Sequence, residues 1–197
     1  MNNQVVRIPS AGGIAIEADL HVPHPPSGVV VFAHGAGSSR FDRAIRSVAS
    51  ALAERDFATL VLDLETAEED AHDIGLLGRR VVDGIDWLRA ESRLAQMPVA
   101  LFGVGTGAAA ALVAAAERRE ATHAVISRAG RPDLAGEALP HVEAPALLIV
   151  GEADPLMDMN LDAMRRMRAH VEVEVAADGA VAELAAAWCQ RYLWSMA

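Results

Sequence analysis

The chain predicts a single α/β domain over residues 1–197, with an about eight-stranded, mostly parallel sheet, helices on both faces and no large lid domain. Three observations carry this. Short, continuously apolar runs, such as residues 28–33 and 58–64, have the composition of strands buried on both faces. These runs alternate with segments whose apolar residues recur at helical spacing. Between residues 101 and 116, an apolar strand passes through a glycine-rich turn into an alanine-rich helix.

The elements follow in order. Residues 5–9 and 14–22, separated by Ala11, Gly12 and Gly13, read as a hairpin in which Ala15, Glu17 and Asp19 interleave with Ile14, Ile16 and Ala18. Residues 21–27, with three prolines, form a loop before the buried strand 28–33. A helix over 40–55 carries Ala44, Val48, Ala51 and Leu52 at helical spacing, and strand 58–64 follows it. An acidic stretch, 65–73, leads into an amphipathic helix marked by Leu76, Val81, Ile85 and Leu88. Residues 98–102 enter the glycine turn, and residues 108–119 leave it as a helix. Short buried strands are expected at 123–127 and 144–150, with a small helical excursion at 131–139 between them. A helix over 161–170, a strand over 171–175 and an amphipathic helix over 181–196 complete the order. The leading hairpin supplies the antiparallel edge.

Composition narrows the function. The apolar fraction is 52% and the mean hydropathy +0.22, yet no apolar run approaches the ~18 residues of a membrane span. The first residues lack the basic start and long apolar region of a signal peptide, so a cytoplasmic location is expected. Cys189 is the single cysteine and allows no internal disulfide. The net charge of −10, without a basic stripe, argues against nucleic-acid and anionic-membrane partners. All 17 basic residues are arginine, which removes Schiff-base and phosphate-loop lysine chemistry. No HxxxH, HExxH or paired-cysteine spacing points to a metal, and no cofactor is expected. A small-molecule ligand and association with a second copy are left open.

The glycine turn reads Gly103, Val104, Gly105, Thr106, Gly107. Its frame is G-x-S-x-G, the sharp strand-to-helix turn that exposes a serine nucleophile, but the central position is Gly105. After strand 28–33 comes His34-Gly35-Ala36-Gly37-Ser38-Ser39. In hydrolases with this turn, one backbone N–H of this loop and one from the residue after the nucleophile form an oxyanion hole. By position, these donors are Ala36 and Thr106. The same loop also reads as a plain strand–helix turn with His34 anchoring its backbone. After strand 144–150, Asp154 stands where a triad acid projects, and it reads equally as a turn former or cap before Leu156.

On residues 29–39, 59–64, 101–107, 127–134 and 145–154, the chain resembles a small α/β-hydrolase of the dienelactone-hydrolase-like group, across nearly its whole length. The resemblance implies a serine (or cysteine) nucleophile, an aspartate and a histidine that together hydrolyse esters or lactones. Two departures stand out. The nucleophile position is Gly105, and no histidine follows His170, although the family carries one between the last strand and the last helix. Residues 175–181 make that connection here, shorter than in the family pattern. The resemblance with these departures implies a degenerate hydrolase with little or no triad-type activity, retaining a crevice for a small ligand, anions included, or a partner. The alternative is an active ester or lactone hydrolase with displaced catalytic groups.

Replacements are few. The side chain of Thr106 should point differently from that of residue 105. Cys189 reads as a core residue of the last helix, and no histidine has a base-plus-acid setting. Glu152, Asp154 and Asp158 read as a solvated rim. A lesser alternative is a dinucleotide fold. Gly103 to Ala108 also fits G-x-G-x-x-A, and Arg128 ends the next strand where it could meet a 2′-phosphate. Ala36, Gly105, Thr106 and Asp154 are expected around one crevice, with Arg128 a polar neighbour. The N–H groups of Gly105, Thr106 and Gly107 are expected to face it as a weak anion site.

Overall fold

The computed structural model describes residues 4–10, 13–35, 37–65, 73–91, 93–152 and 154–193. Its elements are β1 (Gln4–Pro9), β2 (Ala15–His21), β3 (Gly28–Ala33), α1 (Arg43–Ala53), β4 (Phe57–Leu62), α2 (Ile74–Ala90) and β5 (Val99–Val104). They continue with α3 (Thr106–Glu117), β6 (Thr122–Arg128), β7 (Ala146–Val150), α4 (Met157–Arg166), β8 (Val171–Val175) and α5 (Val181–Leu193). The eight strands form one sheet in the order β1-β2-β4-β3-β5-β6-β7-β8. β1 pairs antiparallel with β2 and β2 with β4, while every pairing from β4 to β8 is parallel. This is the eight-stranded, mostly parallel α/β sheet expected from the sequence.

Strand alternation divides the core in two. Val29, Val31 and Ala33 of β3 join the α2 and α3 side, with Leu60, Leu62, Leu101 and Val125. Val30 and Phe32 join the α1 and α5 side, with Val61, Phe102, Ile126, Leu52 and Trp188. There the rings of Phe32 and Phe102 stand 5.0 Å apart. Gly78 of α2 lets α3 come close: a Cβ there would stand 2.8 Å from Cγ1 of Val113.

Element ends differ from the sequence reading for local reasons. α1 starts at Arg43 rather than residue 40 because the Asp42 carboxylate accepts the N–H groups of Ala44 and Ile45. α4 spans Met157–Arg166 rather than 161–170, since Met167 already has extended backbone. The excursion expected at 131–139 is a 3-10 segment, Pro132–His141, broken at Gly136 with φ 53°. Residues 66–72 of the acidic stretch and 194–196 of the last helix lie outside the described residues. No helix among the described residues is long and apolar enough to cross a membrane.

Candidate functional site

The turn from β5 into α3 is held by two kinds of constraint. A Cβ on Gly103 would stand 2.4 Å from Ala108 Cα, and one on Gly107 would stand 2.3 Å from the Ala33 carbonyl oxygen. Backbone occupies both spaces, so only glycine fits. Gly105, between them, has φ 57° and ψ −125°, a region that residues with a β-carbon enter only at a cost. Around it there is room, because the nearest atom to a Cβ there would be Gly35 Cα, 3.9 Å away. The apex of the turn is thus aimed at open space and carries no side chain.

Hydrogen bonds tie this apex to β6 and to the segment after it. The Gly105 N–H donates to the Arg128 carbonyl (3.4 Å), and the Gly105 carbonyl accepts from the N–H groups of Ala108 (3.2 Å) and Arg131 (3.1 Å). This corrects the expectation that three consecutive N–H groups face the crevice: that of Gly105 is directed along the sheet. Those of Thr106 and Gly107 open the first turn of α3. The loop after β3 lies against them, since a Cβ on Gly35 would stand 3.0 Å from the Thr106 nitrogen and 3.1 Å from its Oγ1. Ala36, the other expected oxyanion donor, lies outside the described residues.

That loop is anchored from below. His34 is buried, and its Nε2 stands 3.4 Å from both the Leu64 nitrogen and Asp63 Oδ1. Asp63 also accepts the Arg40 N–H (2.8 Å) and pairs with the Arg40 guanidinium. Burial works to raise the Asp63 carboxyl, but His34 and Arg40 outweigh it and hold it below the ordinary aspartate value. His34 therefore anchors the loop.

Asp154 follows β7, as expected. Its N–H donates to the Gly151 carbonyl (3.2 Å), its Oδ1 accepts the Leu156 N–H (2.9 Å), and its carbonyl accepts from Met157 (3.2 Å). The carboxylate closes the turn into α4, which is the turn-and-cap reading. Gly105 and Asp154 thus lie beyond the carboxyl ends of β5 and β7, with β6 between them. Two strand spacings make about 10 Å.

The end of β6 fills that interval. Arg128 is level with Val104 of β5 and Ile149 of β7, and its Nη2 donates to Asp178 Oδ1 at 2.6 Å. Asp178 opens a short 3-10 turn, Asp178–Ala180, between β8 and α5. Arg128 is legible in the sequence as a strand end, while this partner, 50 residues away, is not. One nitrogen of the guanidinium that the dinucleotide alternative offers to a 2′-phosphate is thus directed at Asp178. Cys189 is fully buried, and burial pushes its thiol up to about 12, far from thiolate chemistry. Among the described residues, no group of three His, Cys, Asp or Glu side chains is placed to hold a metal ion.

Comparison with known proteins gives this geometry a lineage. A dienelactone hydrolase from Anabaena variabilis is 41% identical to the chain, with 98% of each covered and a TM-score of 0.93. Est1E from Butyrivibrio proteoclasticus, in a structure with ferulic acid bound, shares the fold at 16% identity, with 95% of this chain and 98% of that one covered and a TM-score of 0.79. Two Mycobacterium tuberculosis proteins, each called "Putative phosphoribosyl transferase", are 49% identical over 152 residues, 75% of this chain. The chain spans only about a third of the length of these relatives, 34%. The Dienelactone hydrolase family matches residues 16–180, and the chain belongs to that family.

Proposed function

We propose that this chain is a dienelactone hydrolase family member without triad-type ester or lactone hydrolysis. In this reading, the crevice beyond β5, β6 and β7 serves as a binding site for a small ligand or a partner. The observation that carries it is Gly105, a bare apex on a turn whose geometry leaves space for a side chain. Acyl transfer through a covalent intermediate needs a nucleophile and a base to take its proton. Loss of the nucleophile alone forfeits several orders of magnitude in rate. No histidine follows His170, and the Asp154 carboxylate is engaged by Leu156. Thr106 offers no replacement, since its Oγ1 lies beside Gly35 of the neighbouring loop. An anion is the ligand class with a physical warrant, through the N-terminal end of α3, and the inward turn of the Gly105 N–H makes that attraction weaker than three donors would. The part of the longer relatives that the chain spans, about a third of their length, corresponds to the hydrolase fold, so their phosphoribosyl transferase name does not enter this reading.

A panel of short acyl esters and lactones tests this reading. We expect no turnover that follows the protein through purification, and Gly105→Ser alone should leave it at background. Turnover that persists and falls on Thr106→Ala or Asp154→Asn would establish the opposite, a working hydrolase with displaced groups.

A further inference from the structure

A second concavity lies on the α1 face, away from the glycine turn. On this face the core under α1 and α5 contains no side chain of β1 or β2, whose apolar residues join the opposite face. The outer two strands therefore present Glu17 and Asp19 toward a side where no helix among the described residues builds a core on them. Between that shelf and α1 is a pocket of about 610 Å³. Asp19 and Thr59 line it from the sheet, and Arg43, Arg46, Ser47 and Ser50 line it from α1, with Arg40 at its end. Its volume is within the roughly 300–1,000 Å³ usual for small-molecule sites.

Two independent features give this pocket its chemistry. The Asp19 side chain is only 9% exposed, and its closest cation is Arg40 Nε at 3.2 Å. That pair lacks hydrogen-bond geometry, since Arg40 Nε is buried without a hydrogen-bond partner. Among the described residues the Asp19 carboxylate accepts no hydrogen bond, and its oxygens are not sealed from solvent, so a donor in the pocket can reach them. The second feature lies across the pocket. Arg43 and Arg46, one helical turn apart, make no ion pair among the described residues, although the chain carries a net charge of −10. A bare anion would suit the arginines but would meet the Asp19 charge, so the occupant must also carry a donor.

We propose that this pocket binds a small phosphorylated sugar or polyol, its phosphate held by Arg43 and Arg46 and a hydroxyl donating to Asp19. Guanidinium forks match phosphate oxygens, and the hydroxyls of Ser47, Ser50 and Thr59 can exchange hydrogen bonds with a polyol. The site stands apart from the glycine turn. β2 and β5 are separated by three strand spacings, about 14 Å, so occupancy here is independent of whether the turn is catalytic.

The test uses calorimetry and amide chemical shifts on the full chain with ribose 5-phosphate, glucose 6-phosphate, ribose and inorganic phosphate. At least one sugar phosphate should bind about tenfold or more tightly than both ribose and phosphate. Arg43→Gln with Arg46→Gln should weaken it by about tenfold or more, and Asp19→Asn should weaken the sugar phosphate while leaving phosphate unchanged. If Asp19→Asn does not fold, the exposed arginine pair and Ser47→Ala decide the matter. The proposal is overturned if neither sugar phosphate binds at millimolar concentration. It is equally overturned if phosphate alone binds as well, or if the arginine pair has no effect.

Discussion

The turn from β5 into α3 and the connection from β8 into α5 share the carboxyl end of the sheet, but packing governs them differently. In the first, Gly103 and Gly107 are fixed by backbone standing 2.3–2.4 Å from any added Cβ. In the second, a Cβ on Gly179 would meet nothing within 4 Å, and the Asp178 side chain is 87% exposed. Gly105 is the exception inside the constrained turn, with space on its open side. The positions that would carry reactive groups are those the fold does not hold. A chain can therefore keep the whole frame of a hydrolase turn while its apex and the distant connection change freely.

The sharpest way to break this comparison is Gly107→Ala. Its methyl group would enter the space of the Ala33 carbonyl, and we expect a loss of roughly 3 kcal/mol or more in urea denaturation, or an insoluble product. Gly105→Ala should cost less, about 1–2 kcal/mol, because the strain is in the backbone and the added methyl has room. If the two substitutions cost the same, steric fixing of the outer glycines is wrong. Asp178→Ala should be the mildest, below about 1 kcal/mol in the same assay, since its pair with Arg128 is largely in water. A larger cost there would show that the β8–α5 connection is as constrained as the turn.

Much of this was legible in the sequence, for reasons that vary by position. β3 ends where its apolar run ends, at Gly28 and Ala33, and β8 spans the expected residues 171–175. The glycine turn was legible because steric exclusion leaves glycines as a visible trace. What was hidden depends on chain segments meeting through strand order. The Arg128–Asp178 pair joins residues 50 apart, and Arg40 reaches Asp63 across 23. Arg40 carries helical spacing, yet it faces a carboxylate on β4's far end and stays outside α1. The start of α4 was hidden for a smaller reason: Asp154 and Leu156 set it locally, before the apolar spacing begins.

The two outer strands bear on how this molecule meets copies of itself. β8 reads Val171-Glu-Val-Glu-Val175, with Glu174 exposed, and β1 carries Arg7 and ends at Pro9. Charge and proline on an edge discourage the pairing of unpaired backbone groups with another chain. Two β8 edges laid side by side would bring rows of carboxylates together, and at Pro9 the β1 edge has no N–H to offer. Growth of the sheet from one molecule into the next is thus opposed at both borders, and crowding should favour discrete particles over fibrils.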